Sequence, residues 1–215
     1  MINYDQQYSI LHDNNKTLCF VGDTGYNRML YQYWSSLRSC DFVSLEHVVQ
    51  QSPLWVDRRQ FMCAVSNVAF KHQVVDALSK FQPDYFSVIG MGNILNHVKI
   101  GRGTFIQNYN IANCKDTSIG DHCTLASFIN LSHQTTIGDY CHVSSYAFIN
   151  HCIIKTGNLF AVRCTVLGQK DQPLVIVDHC NFMIGSTIRK DVSTTGTYLD
   201  HKKISEKTSL NYKLF

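Results

Sequence analysis

Four histidines stand at positions 122, 133, 142 and 151, with gaps of 11, 9 and 9 residues. An imidazole titrates near neutral pH, so it can take a proton from an attacking amine or alcohol, or bind a metal ion. His133 lies in the segment FINLSHQTTIGDYCHV, four residues ahead of an Ile-Gly-Asp corner, and His142 follows nine residues later. The nine cysteines are the other reactive groups. Their number is odd and none forms a Cys-x-x-Cys pair, which points to free thiols in a reducing compartment. Cys123 and Cys141 are 18 residues apart, as are Gly120 and Gly138. That interval suits side chains stacked inside a repeat better than a metal site.

The repeat that must position these groups has a period of six. Ile94, Ile100, Ile106 and Ala112 form a first run, and one extra residue near Lys115 resets the phase. Ile119, Leu125, Leu131, Ile137, Val143 and Ile149 follow without a miss. A one-residue slip leads to Ile154, Phe160 and Val166; after the loop 168–173, Ile176, Phe182 and Ile188 resume the spacing. Six matches neither the helical period of 3.6 nor the strand period of 2. It predicts a coil with three short flat faces and one inward apolar residue on each. An antiparallel sandwich would not give six consecutive hits in one phase.

The first half reads differently. Strands are expected at Lys16–Val21, Asp41–Leu45, Phe61–Val65 and Phe86–Ile89, with helices over Tyr26–Leu37 and Val68–Phe81. Alternating strands and helices predict a small, Rossmann-like parallel α/β unit over 1–92, followed by a coil over 93–195 and a tail over 196–215. The turn Gly22-Asp23-Thr24-Gly25 joins the first strand to the first helix, where such folds hold phosphates. The full G-x-G-x-x-G fingerprint is absent, and a plain turn is an equally good reading of these four residues alone.

An α/β cap followed by a hexapeptide coil resembles the sialic-acid O-acetyltransferase type of sugar acyltransferase, over residues 17–195. The motifs are most similar to those of N-acetyltransferases that act on nucleotide-linked 4-amino-4,6-dideoxy sugars. The resemblance implies a left-handed parallel β-helix and a direct transfer from acetyl-CoA to the 4-amino group of a UDP- or dTDP-linked sugar such as viosamine. It makes His133 the general base and puts His142 near the thioester or the sugar. A backbone N–H at Asn150 or His151, one coil above, would steady the oxyanion. Ala161 and Gly185 match the places where the family approaches CoA, and Arg189 or Lys190 would meet its phosphates. The nucleotide would lie against Gly22, Asp23, Thr24, Gly25, Tyr26 and Glu46. The implied assembly is a homotrimer with its sites between subunits. Where the family has an acidic residue after its histidine, this chain has Gln134, which would orient the ring without adding charge. The family's Gly-x-Gly-Gly-His turn becomes Gly22-Asp-Thr-Gly-Tyr26, and its closing Gly-x-Pro-Ala-Lys is absent. The polar tail from Asp200 to Phe215 would then be a helix or a linker.

A formal charge of +3 without a basic block gives nucleic-acid binding little support, and no apolar run approaches a membrane span. A polar N-terminus without a signal-like apolar core and free thiols together predict a cytoplasmic protein. Three further readings stand beside the N-acetyltransferase: an O-acetyltransferase using the same base, an inactive trimeric scaffold, and a zinc site. The histidine gaps do not match the three-histidine zinc set of β-helical carbonic anhydrases, so no metal is expected. His122 and His179, both in Asp-His-Cys segments, are expected at corners, bonded to backbone.

Overall fold

The computed structural model describes residues 8–11 (backbone only), 15–112, 114 and 116–206. Thr17–Val21, Cys40–Val43, Arg59–Met62 and Asp84–Tyr85 form a parallel sheet in the spatial order second, first, third, fourth. Leu18, Cys19, Phe20 and Val21 are all fully buried, as a strand covered on both faces requires. The crossovers carry four helices: α1 (Gly25–Ser35), α2 (Leu45–Val49), α3 (Pro53–Asp57) and α4 (Val68–Ser79). Thr24, Ser44, Ser52 and Asn67 cap them, each side-chain oxygen accepting a first-turn N–H. The five-residue helices α2 and α3 are too short to show a period in the sequence.

From Ser87 onward the chain winds through three parallel sheets. The first face carries Ser87–Gly90, Phe105–Ile106, Thr124–Leu125, His142–Val143, Leu159–Phe160, Cys180–Phe182 and Gly196–Leu199. The second carries Ile111–Ala112, Asn130–Leu131, Phe148–Asn150, Thr165–Leu167 and Thr187–Ile188; the third carries Lys99–Ile100, Ser118–Ile119, Thr136–Ile137, Cys152–Ile154 and Leu174–Ile176. The six-residue period is the spacing of these faces. Every apolar residue of the period from Ile106 to Ile188 lies buried in one interior cluster. Phe160, Phe182 and Tyr198 stack along it with centroids 4.9 and 5.6 Å apart. Cys123 and Cys141 are interior too, and their thiols donate to the carbonyls of Gly138 and Lys155.

Four expectations change. Ile94 is exposed and bridges Ile111, while Leu95 packs on the core, so the first coil runs one residue later than the period suggests. Phe86–Ile89 is not one strand. Asp84–Tyr85 joins the α/β sheet and Ser87–Gly90 pairs with Phe105–Ile106, so the expected boundary at 92/93 falls inside the first coil. The tail is neither helix nor linker over 200–205: Gly196–Leu199 continues the first face and Lys202–Ser205 folds back antiparallel to it. Residues 207–215 lie outside the described ones, as does Lys115, the expected point of phase reset.

Corners are turned by residues in the left-handed region, many of them aromatic or histidine: Tyr109, Phe128 and Tyr146 between the first and second faces, Gln134 and His151 between the second and third, His122, Tyr140 and His179 between the third and first. A left-handed non-glycine residue costs about 1–2 kcal/mol, and stacking offsets part of it here. Tyr109, Phe128 and Tyr146 stack at 5.5 and 5.2 Å. His122 and His179 do occupy corners, with backbone N–H groups donating to Arg102 and Thr156 carbonyls.

Candidate active site

Register determines what shares an edge. Ala112, Leu131 and Ile149 pair in successive coils, so Cys114, His133 and His151 follow one another at the corner between the second and third faces. His133 is exposed. Its ring stacks on His151 at 5.8 Å between centroids, and the His151 N–H donates to the His133 carbonyl at 2.8 Å. That amide is therefore committed to the coil and is not a free oxyanion donor. Asn150 beside it keeps a buried side-chain oxygen for which no hydrogen-bond partner is found. The expectation for Gln134 is also corrected. Its Oε1 lies 3.0 Å from Nδ1 of His151, whereas Nδ1 of His133 lies 3.2 Å from Sγ of Cys114.

His142 does not join this edge. It points outward from the first face, in the row Phe105, Thr124, His142 on which the α/β unit sits. Phe105 packs into the α/β core and Thr124 donates to the Val65 carbonyl at 3.2 Å. His142 is therefore sealed at 4% exposure, with Nε2 3.1 Å from Ser144 Oγ and Nδ1 unpartnered. Burial, with the fully buried Lys71 of α4 nearby, pushes its pKa down to about 3. The same burial lowers Lys71 to about 8 and leaves its Nζ unpartnered. A neutral, enclosed imidazole is a packing group of this junction, which corrects its assignment to the thioester or sugar.

The expected nucleotide residues do converge, at the carboxyl ends of the parallel strands. Gly22 to Tyr26 follow the first strand and open α1; Glu46 lies in the first turn of α2 after the neighbouring strand. Gly22 has φ +94°, and an added Cβ would stand 2.5 Å from the Phe70 ring. Asn27 pins the turn, donating to the Val21 and Gly22 carbonyls and accepting from the Ala64 N–H. Thr24 both caps α1 and donates to the Ala64 carbonyl. The remaining first-turn amides of α1 have no intrahelical partner and form the kind of end that holds phosphate. Asp23 pairs with Arg28. The exposed Glu46 carboxyl is held below its ordinary pKa by its own N–H and the Ser44 hydroxyl. Tyr26 is half-buried with its ring edge-on to Phe105 at 5.6 Å, and burial raises its phenol pKa.

Ala161 and Gly185 lie at the corner between the first and second faces, on a different edge from His133. Arg189 and Lys190 follow the second-face strand Thr187–Ile188, so they share the His133 edge. They lie three coils beyond it, roughly 14 Å at about 4.8 Å per coil. Among the described residues, no group of three His, Cys, Asp or Glu side chains is placed to hold a metal ion. No described helix is long and apolar enough to cross a membrane. Sequence reasoning missed Cys114 and the backbone of Ala64 and Val65. The first was findable by aligning the coils, since Cys114 falls 19 residues before His133.

No protein-family model and no curated protein matches the sequence. Solved structures do. WeeI from Acinetobacter baumannii AYE superposes with a TM-score of 0.71 at 18% identity, over 88% of this chain and 99% of that one. The acetyltransferase domain of PglB from Neisseria gonorrhoeae FA1090, in complex with acetyl coenzyme A, gives 0.71 at 12% identity, over 89% and 100%. PerB from Caulobacter crescentus, in complex with CoA and GDP-perosamine, gives 0.70 at 12% identity, over 91% and 99%. The chain shares their fold. The match spans both the parallel α/β unit and the three-faced coil, nearly end to end. At such low identity the positions of individual side chains must be argued from this chain's own geometry.

Proposed function

We propose that this chain transfers the acetyl group of acetyl-CoA to the amino group of a nucleotide-linked sugar, with His133 as general base. Its acceptor is the 4-amino group of a 4,6-dideoxyhexose on UDP or dTDP, viosamine being one such sugar. The coil is left-handed, and the N-terminal unit is Rossmann-like and holds the nucleotide against Gly22–Tyr26 and Glu46. The observation that carries this reading is an exposed histidine, partnered at Nδ1, on the edge of a coil whose solved counterparts were obtained with acetyl coenzyme A, or with CoA and GDP-perosamine.

In this reading Nε2 of His133 removes a proton as the amine nitrogen adds to the thioester carbonyl. The tetrahedral oxyanion collapses, the C–S bond breaks, and His133 returns the proton to the CoA thiolate. The products are the acetamide and free CoA, with no acyl-enzyme. Arg189 and Lys190, on the same edge, suit the CoA phosphates at about the reach of the pantetheine arm. Ala161 and Gly185 lie on another edge, so a site that uses both sets draws them from two chains. This favours a homotrimer with sites between subunits. Exposed Ile94, Ile111, Tyr109, Phe128 and Tyr146 offer apolar surface for such packing.

The test is to incubate the protein with acetyl-CoA and a panel of UDP-, dTDP- and GDP-linked amino sugars, following product mass, with His133→Ala alongside. A gain of one acetyl group on a 4-amino acceptor, lost in the variant, supports the reading. Acetylation that survives His133→Ala removes His133 as the base. Transfer only to hydroxyl acceptors replaces the amine with an alcohol.

A further inference from the structure

We infer that Cys114 is the positioning residue of His133, its sulfur accepting the Nδ1–H and so leaving the Nε2 lone pair free for the substrate's proton. The inference rests on reading His133 as the base, and it supplies the partner that Gln134 does not. Three observations carry it.

Sγ of Cys114 lies 3.2 Å from Nδ1 of His133, within reach of a hydrogen bond to sulfur. Cys114 also stands apart from the other coil cysteines. Cys123, Cys141, Cys152, Cys164 and Cys180 are buried, with thiols donating to main-chain carbonyls; Cys114 is partly exposed on the edge, facing a ring nitrogen. Finally, the corner is built differently here. Ala112 and Ile119 are seven residues apart instead of six, and the Thr117 N–H closes a turn on the Cys114 carbonyl at 3.0 Å. Cys114 follows Ala112 by two residues, as His133 follows Leu131 and His151 follows Ile149, so the three share one edge.

The chemical consequence lies in the tautomer. A neutral imidazole has one N–H and one lone pair, and the hydrogen bond at one nitrogen decides which is which. With Nδ1–H pointing at sulfur, Nε2 carries the lone pair and is basic. If the thiol instead donated to Nδ1, Nε2 would hold the hydrogen and could not act. A sulfur that accepts the Nδ1–H takes the acidic neighbour's orienting role from one coil below.

The experiment uses the full chain labelled with 15N-histidine, together with Cys114→Ala, Cys114→Ser and Cys114→Asp. The expected spectrum shows the neutral His133 with hydrogen on Nδ1 in wild type and Cys114→Asp, and mixed tautomers in Cys114→Ala. Kinetics should show kcat down by about 10–100-fold in Cys114→Ala, the scale for losing a histidine's orienting partner. KM for acetyl-CoA and acceptor should hold, and Cys114→Asp should recover most of the rate. An unchanged tautomer in Cys114→Ala overturns the inference. So does an S-acetyl mark on Cys114 after incubation with acetyl-CoA alone, which would make the thiol a covalent carrier. The spectrum needs no acceptor, so a missing acetyl transfer would count against the proposed function and leave the pair still tested.

Discussion

The side-chain oxygen of Gln134 lies 3.0 Å from Nδ1 of His151, one coil further along the edge, so the residue that follows His133 in the chain serves its neighbour in space. A stacked coil does this routinely. Residues adjacent in sequence at a corner diverge, while those 17 to 19 apart meet. Gln134→Ala should therefore lower acetyl transfer by less than about tenfold, under about 1.4 kcal/mol of transition-state stabilisation. His133→Ala should cost about 10²–10⁴-fold. Steady-state kinetics on the two variants checks the ranking.

Acid should loosen the seat of the α/β unit on the coil. Burial pushes His142 down to about 3 and His122 down to about 4, so both stay neutral in the folded protein. Unfolded, each would take a proton near 6.5. The unfolded chain therefore binds more protons below pH 6.5, and stability falls as pH drops from about 6.5 towards 4 and then 3. Urea unfolding at a series of pH values should show this slope. His142→Leu should roughly halve the slope above about pH 4 and remove it below.

Lys71 gives a slope at the other end of the scale. Its folded pKa of about 8 lies below the ordinary value of 10.5, because burial disfavours the ammonium. Between these values the unfolded chain holds the extra proton, so stability should rise with pH across about 8 to 10.5. Lys71→Met should abolish that rise. It should leave stability at pH 7 equal or higher, since an unpartnered buried charge is replaced by a side chain of similar length. Melting temperatures at pH 7 and 9.5 for both proteins decide it.

The interior stack predicts a local packing cost. Phe182 touches Phe160 on one side and Tyr198 on the other and is fully buried. Phe182→Ala should destabilise the protein by about 3–5 kcal/mol through lost burial and an unfilled cavity. The comparison is Phe128→Ala at the exposed corner stack, where about 1–3 kcal/mol is expected from its two aromatic pairs. Chemical denaturation of the two variants measures both.

The coil was legible because each inward position repeats a local rule, visible from Ile106 to Ile188 without any knowledge of the third dimension. The rule failed at the ends. Leu95 replaces Ile94 where the coil begins, and the strand Gly196–Leu199 lacks an Ile or Val to announce it. Within the candidate site, the corner that carries His133 and the strand-to-helix turn Gly22–Tyr26 were legible because motif and element coincide. His142 misled for a physical reason: its fate is decided by the docking of α4 and the Val65 loop, about 60 to 80 residues earlier in the chain, and the six-residue period carries no trace of that contact. Cys114 went unread because its partner is one coil away and not one motif away.

Both edges of the longest sheet end on strands that run against it, Tyr8–Leu11 beside Ser87–Gly90 and Lys202–Ser205 beside Gly196–Leu199. A parallel coil with bare ends is a template on which the next molecule's first strand can add, and then the next, giving a filament. Reversing the last strand spoils the parallel template at each end, and Lys202 and the Lys203–Glu206 ion pair make one of those rims charged. Parallel end-to-end addition along this sheet is thereby disfavoured, and the sides of the prism remain as surfaces through which copies of the chain can meet.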